Sequence, residues 1–269
     1  MPTDWNRIFP DADHRWSIGL QRGDLAEFLA VRDRSGAVCA ERRRWLDAAP
    51  ETYAALLPES IAALQETLEL ARSLGAKIEE TKTPWEQLLS LGKAWEVDIA
   101  WMHPDGQGTH RLVGGVVCFP SSWDLREKLG LPMTEVHAPV PLLNDALARQ
   151  IETFLSRQQP GVAWTRENVS FSRDAELNHH PARHLRPLDS TVTPDNVFVR
   201  LEHQLLLKLP TSGSILFGIR VEVVPLNDLP WTAQTRDRMV RLLSTIAPDV
   251  AVYKGIADSM QTLIELISV

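Results

Sequence analysis

The sequence predicts an α+β fold, in which a five-stranded antiparallel sheet is combined with N-terminal, inter-strand and C-terminal helices. Three observations lead to this prediction. Apolar residues recur with a helical period within residues 36–75, the period changes to two from residue 94, and helical patterns return after residue 229. The strands are therefore expected in the middle of the chain, between helical ends.

The N-terminal part is predicted to be mainly helical. Residues 1–20 are interpreted as an irregular arm that packs onto the domain, and residues 24–30 as a short helix. Residues 36–75 are expected to be mostly helical, because apolar residues recur there on one helix face. Pro58 suits the first turn of such a helix and Gly75 suits its end.

The first two strands are expected to form an antiparallel hairpin. From residue 94, apolar and polar residues alternate, which is typical of a half-buried strand. A turn cluster at residues 104–108 separates it from a more apolar strand, Leu112 to Phe119. The Gly114-Gly115 pair in that strand indicates a bulge, or another group close to the backbone.

Two helices and a third strand are predicted next. Ser121 or Ser122 can cap a short helix that ends at Gly130. Asn144 to Arg157 forms a second helix, and Trp164 to Ser172 forms the third strand.

A second hairpin follows a loop-like stretch, residues 173–196. Its strands are Val197 to Leu209 and Ile215 to Val223, and apolar residues occupy the odd positions of both. A three-residue loop, Thr211-Ser212-Gly213, would pair odd with odd positions and place Gly213 in a left-handed conformation. His203 would then lie on the apolar face, where it needs a hydrogen-bond partner.

Two helices, in residues 229–246 and 255–267, are expected to close the fold. Strands grouped two plus three, with helices between them, are the chain order of a PAS-type sheet. We therefore expect one PAS-like domain over residues 1–269, with a helical N-terminal extension (about 1–90) and C-terminal helices (about 229–269).

Composition excludes several classes of function. The formal charge of −7 argues against nucleic-acid binding, which needs clustered positive charge. Two cysteines are too few for a disulfide framework or a four-thiolate cluster. No apolar run approaches the ~18 residues of a membrane span, and the first residues lack the apolar segment of a signal peptide. A cytoplasmic protein is expected.

His137 is the first candidate for a functional side chain. It directly precedes Ala-Pro-Val-Pro, and each proline restricts the backbone, so the ring is held on a rigid segment that suits a metal or cofactor ligand. The alternative is that His137 caps a helix end or stabilises a turn. His179, His180 and His184 could suggest zinc, but no Cys or carboxylate spacing supports such a site, and a loop surface is the alternative.

Several stretches, spread over most of the chain, form a recognisable series of motifs. They are Gly19-Leu20, Leu112-Val113-Gly114-Gly115, Val117 to Trp123, Glu127 to Gly130, Val136 to Pro141, Arg200 to Gln204, Leu209-Pro210, Leu216 to Arg220 and Tyr253-Lys254-Gly255. In sequence and order, these motifs resemble the haem-dependent oxidative N-demethylase alpha-subunit-like family.

The resemblance implies a PAS-like domain that binds haem b. It implies that O₂ is reduced at the haem iron while a small secondary amine, such as dimethylamine, loses a methyl group as formaldehyde. A separate reductase subunit is needed, because this chain has no GxGxxG after a strand and no cysteine cluster. Two alternatives are a haem-binding sensor or carrier without turnover, and a haem-free interaction domain.

Candidate site residues follow from this resemblance. His137 is the expected axial ligand of the iron, with His203 as the rival. The haem propionates would need cations, for which Arg200, Arg220 and Lys208 on the polar face of the second hairpin are candidates; cross-strand pairing with Glu202 and Glu222 is the alternative. Trp123 and Phe119 would pack on the macrocycle or in the core. Glu135 could receive a cationic amine, or be an exposed turn carboxylate.

One departure from the family pattern concerns the third strand. The family has an Arg-x-Asn-Trp run where this chain has Arg166-Glu167-Asn168-Val169. If that tryptophan lines the pocket, the substrate is expected to differ or to be absent.

Overall fold

One antiparallel sheet of seven strands organises the computed structural model, which describes residues 4–268. The strands are β1 (Gln21–Arg22), β2 (Ala54–Leu56), β3 (Asp98–Pro104), β4 (His110–Val116), β5 (Ala163–Ser172), β6 (Phe198–Lys208) and β7 (Ile215–Pro225). Their order across the sheet is β1-β5-β6-β7-β3-β4-β2. The α+β class is confirmed, but the prediction of five strands is wrong. The additional β1 and β2 have two and three residues, too few to show an alternating pattern.

Helices occur in each stretch predicted to be helical, and four others, Trp5–Ile8, Pro84–Ala94, Met133–Val136 and Pro248–Tyr253, lie outside those stretches. The described residues contain α1 (Trp5–Ile8), α2 (Leu25–Leu29), α3 (Ala37–Ala48), α4 (Pro50–Tyr53), α5 (Ile61–Ser73), α6 (Pro84–Ala94), α7 (Leu125–Lys128), α8 (Met133–Val136), α9 (Leu143–Arg157), α10 (Ala233–Ser244), α11 (Pro248–Tyr253) and α12 (Met260–Ser268). The short helix α7 is capped by the side chain of Asp124, which accepts from the Arg126 amide, and not by Ser121 or Ser122. None of these helices is long and apolar enough to cross a bilayer.

The two faces of the sheet are covered by different elements. On the first face, odd-numbered residues of β6 such as Leu205 pack under the N-terminal helices at one end, and others such as Leu201 pack under α10 to α12 at the other end. On the second face, even-numbered residues of β6 such as Leu206 pack against α8 and α9. Because both faces are covered, side chains of both parities are buried in β6.

The register of the second hairpin differs from the prediction. Leu207 pairs with Leu216 and Phe198 with Pro225, so odd positions face even positions. The loop has four residues, 210–213, because the Leu209 amide donates to the Ser214 carbonyl at 2.8 Å. An alternating pattern specifies register only where one face is exposed, and here neither face is. The left-handed conformation of Gly213 is confirmed by its φ of 69°.

The strand β3 is buried on both faces, and the expectation of a half-buried strand is wrong. Its polar member Asp98 is 1% exposed, because it pairs with Arg42 and accepts from the amides of Cys118 (2.7 Å) and Phe119 (2.8 Å). Glu96, just before β3, is 6% exposed and pairs with Arg220 at 2.7 Å. Because these buried acids alternate with apolar residues, the sequence pattern is the same as that of a strand with one solvent-exposed face.

The close approach expected at Gly114-Gly115 is present. A Cβ atom at Gly115 would lie 2.2 Å from the backbone oxygen of Ile99, on the neighbouring β3. We expect Gly115→Ala to lower the free energy of unfolding by about 1–3 kcal/mol, as overpacking of a core does. Urea denaturation measures this. Gly106→Ala is the control, because its Cβ would meet no atom within 4 Å; equal effects of the two substitutions would contradict the argument.

Candidate functional site

A group of charged side chains lies along β5 and on the second face of the sheet. Arg166 comes from β5 and Glu202 from β6, and the even positions of these strands share that face. His137 follows α8 and Lys254 follows α11. Lys128, at the end of α7, donates to the Val136 carbonyl at 2.7 Å, next to His137. We call these five residues the cationic site.

The backbone of His137 is fixed while its ring is available. Its amide donates to Met133 at 3.0 Å, and its carbonyl accepts from Val140 at 2.9 Å. His137 therefore ends α8 with its backbone, as the alternative interpretation expected. Its ring makes no hydrogen bond to any side chain or carbonyl within residues 4–268.

The ring of His137 is held in its neutral form. Burial, followed by the positive charges of Lys128 and Arg166, lowers the pKa of His137 to about 4. At neutral pH the imidazole therefore keeps a nitrogen lone pair, which is the form that binds a metal.

Arg166 and Lys254 are half-buried cations with few hydrogen-bond partners. The Nε of Arg166 is buried without a hydrogen-bond partner, and its Nη1 donates to the Ile18 carbonyl at 3.3 Å. Lys254 donates through Nζ to the Val169 carbonyl at 3.0 Å. Burial lowers the pKa of both groups, although the Glu202 charge opposes the change in each case. Removing these two positive charges from water costs free energy, and an interior without further carboxylates does not offset that cost.

Glu202 is the carboxylate of this site and is held in place by two amides. It is 6% exposed. Its Oε2 accepts from Asn168 Nδ2 at 3.2 Å and from Gln204 Nε2 at 2.8 Å. Arg166 and Lys254 thus share one carboxylate, Glu202, which leaves an excess of about one positive charge for an anionic ligand.

Apolar side chains continue the second face beside these charges. Val136, the residue before His137, packs against the same two apolar clusters as Phe217 of β7; Leu206 of β6 belongs to one of these clusters, and the predicted residue Trp123 packs against the other. Phe119, in contrast, belongs to the core under the N-terminal helices, where the guanidinium of Arg42 lies 5.5 Å from its ring. The two aromatic residues that the sequence placed together are therefore on different sides of the sheet.

The three cations predicted for the propionates are not brought together. Arg200 and Arg220 lie on opposite faces, because β6 and β7 pair odd with even positions. The guanidinium of Arg220 is occupied by Glu96 and by the carbonyls of Phe28 and Ala30. Lys208 lies on the second face at the end of the hairpin, opposite Ile215.

Arg200 is occupied by protein acceptors. It is 1% exposed and donates to the carbonyls of Phe119, Pro120, Glu176 and Leu177 and to the hydroxyl of Ser121. This side chain joins the segment after β4 to the loop after β5. Arg200 therefore holds these two segments together inside the protein and is not a free cation.

The rival ligand, His203, lies on the first face, away from the cationic site. Its Nε2 is 3.1 Å from Glu222 Oε2 and its Nδ1 is 3.9 Å from Glu167 Oε1. The polar partner that a buried ring needs is thus supplied by two carboxylates. His137 and His203 cannot act on one ligand from the same side of the sheet.

The remaining candidates have local partners. His179 pairs with Asp174 at 3.1 Å, and His180 lies 3.4 Å from Asp124. Glu135 is exposed on α8. Val169, at the position of the family tryptophan, is on the first face and packs against the core of α10 to α12. A larger side chain there would enter that core and would not line the cationic site.

Four of the five residues of the cationic site were not among the predicted site residues: Lys128, Arg166, Glu202 and Lys254. All four stand in stretches that carry the family resemblance or the departure from it, Glu127–Gly130, Arg166–Val169, Arg200–Gln204 and Tyr253–Gly255. That position in a motif was the available signal. Their burial was not visible, since it depends on elements far apart in the chain.

Comparison with known families agrees with the motifs. A family model described as "Haem-dependent oxidative N-demethylase, alpha subunit-like" matches residues 71–264, more than two thirds of the chain. The match includes all five residues of the cationic site. The chain belongs to the haem-dependent oxidative N-demethylase alpha-subunit-like family.

Proposed function

We propose that this protein binds haem b at the cationic site and catalyses the oxidative demethylation of a small secondary amine, with O₂ as oxidant and a separate reductase as electron donor. The observation that supports the proposal is a neutral imidazole, without a hydrogen-bond partner within the described residues, close to half-buried cations in excess of carboxylates. The five strands β3 to β7, contiguous in the sheet, would form a PAS-like core extended by residues 1–90 and 229–269 into one domain.

The residues present suit haem in three respects. His137 would supply the axial nitrogen, since its ring is neutral and makes no competing hydrogen bond. Arg166 and Lys254 would bind the two anionic propionates. The Nε of Arg166, which has no hydrogen-bond partner in the protein, would donate to one of them. Trp123, Phe217 and Leu206 would provide an apolar wall for the macrocycle.

Bound haem would supply the O₂ and one-electron chemistry, and the protein would supply binding and orientation. One oxygen atom of O₂ would end in formaldehyde, and the other would leave as water with two electrons and two protons, so that dimethylamine becomes methylamine. Glu202, fixed by Asn168 and Gln204, offers an acceptor for the N–H of an amine. The electrons would come from the partner reductase.

The test begins with an absorption spectrum of the purified protein with added hemin. We expect a Soret band at one hemin per chain, and formaldehyde release when dimethylamine, O₂ and a chemical reductant are added. Absence of a Soret band would overturn the proposal. A Soret band without formaldehyde, over a panel of methylamines, would replace the enzyme with a haem-binding sensor or carrier.

A further inference from the structure

The N-terminal segment crosses the cationic site without being part of the core. Residues 10–20, which we call the strap, run between two fixed points. At one end Phe9 is 1% exposed and packs under α10 to α12. At the other end β1 pairs with β5, with Gln21 opposite Thr165. No residue of the strap is itself buried; exposed and half-buried positions alternate along it.

Polar surface contacts hold the first half of the strap to α10. Arg241 donates to Asp13 at 2.8 Å and to Asp11 at 2.9 Å, and all three side chains are about half exposed or more. The amide of His14 donates to Thr245 Oγ1 at 2.8 Å. Exposed ion pairs of this kind contribute little stability, and a segment held by them opens locally with a small free energy.

The second half of the strap connects the two sides of the cationic site. The indole Nε1 of Trp16 donates to the Pro141 carbonyl at 2.8 Å, four residues after His137. The same indole ring lies 6.0 Å from Lys254 Nζ. The carbonyl of Ile18 accepts from Arg166 at 3.3 Å. The strap therefore spans His137, Arg166 and Lys254 and closes the site from outside.

We propose that the strap is a removable latch, and that Trp16 is the residue that keeps it closed. This inference rests on the proposed function, because the ligand that must pass is a macrocycle. A haem-sized molecule can reach Arg166 and Lys254 only after the strap has detached, whereas the strap can re-form over the bound ligand. The strap lies outside the residues 71–264 matched by the family model, and the inference is argued from the contacts of Arg241, Trp16 and Ile18 in this chain.

The latch makes a kinetic prediction for Trp16→Ala. We expect the rates of hemin association and of hemin loss to an apomyoglobin trap both to rise about tenfold, with the equilibrium affinity changed by less than about threefold. In the hemin-free protein, amide hydrogen exchange in residues 10–20 is expected to accelerate by a similar factor, because local opening then controls it.

Trp45→Ala is the matched control. Its indole also donates to a protein oxygen (Glu41, 3.3 Å) and lies near a cation (Arg44, 4.5 Å), but it belongs to α3 on the first face. We expect unchanged hemin rates for this variant. If Trp16→Ala does not fold, the exposed pair Asp11→Asn/Asp13→Asn tests the same latch, with an expected acceleration of about threefold.

The outcomes separate the latch from the proposed function. A Soret band in the wild type with equal hemin rates and equal strap exchange in Trp16→Ala would overturn the latch alone. No Soret band in the wild type would overturn the proposed function, and with it the role of the strap toward haem. Acceleration by Trp45→Ala equal to that by Trp16→Ala would also overturn the latch.

Discussion

Replacement of His137 by alanine is expected to weaken hemin binding by about 100-fold or more and to abolish the Soret band of the wild type. Loss of groups that only orient a metal ligand costs 10–100-fold in affinity, and loss of the ligand itself should exceed that range. The effect is large because the cations and the apolar wall would still contact the propionates and the macrocycle, but no side chain would ligate the iron. Titration of the purified variant with hemin, followed by absorbance, measures the change.

His203→Ala is the matched control for this experiment. It removes the same chemical group, but from the first face of the sheet, where the ring lies near Glu222 and Glu167. We expect hemin affinity within about threefold of the wild type. A Soret band that survives in His137→Ala and disappears in His203→Ala would reverse the assignment of the ligand and move the haem to the other face.

The sequence was sufficient to locate His137 but not the cations around it. Prolines restrict the backbone locally, so a histidine followed by two of them is recognisable without any structure. The burial of Arg166 and Lys254 depends on β5, the strap and the end of α11, which are far apart in the chain. The alternation of residues in β5 and the helical periodicity of α11 do not show that these elements lie next to each other in the fold.

The fold was predictable in segments where the spacing of apolar residues alone decides between helix and strand. The helix at Asn144 to Arg157 and the strand at Trp164 to Ser172 are found within one residue at their starts. The strands of the second hairpin were also predicted within two residues at each end, but their register was not, because most positions on both faces are covered and polar residues inside the hairpin have buried partners. The alternation of apolar and polar residues then does not show which face is exposed to solvent or which residues pair across the two strands.

Arg200 shows the consequence of that limit. Its place among alternating polar residues predicted a propionate partner, yet its donors serve four carbonyls and one hydroxyl, at distances from 2.6 to 3.4 Å. Burial lowers the pKa of Arg200 to about 10, so the guanidinium stays charged at neutral pH. The charge is balanced inside the fold by carbonyl dipoles, and removing it would leave several buried acceptors unpaired.

We therefore expect Arg200→Met to lower the free energy of unfolding by about 3–5 kcal/mol, the range found when one partner of a buried charged network is removed. Arg200→Lys should recover little, because an ammonium has three donors and cannot reach acceptors on both connected segments. Guanidinium denaturation of the hemin-free protein measures both variants.

The control for this prediction is Arg236→Met, since Arg236 is half-buried, lies on the Trp231 ring and donates to a single carbonyl, that of Ile267 at 2.8 Å. Its loss should cost about 1 kcal/mol, the contribution of one hydrogen bond. If Arg200→Met were as mild as this control and instead weakened hemin binding, Arg200 would belong to the cofactor site and not to the tie between the loops. The two explanations differ because a tie acts on the folded chain before any ligand is present, so its loss must appear in the hemin-free protein.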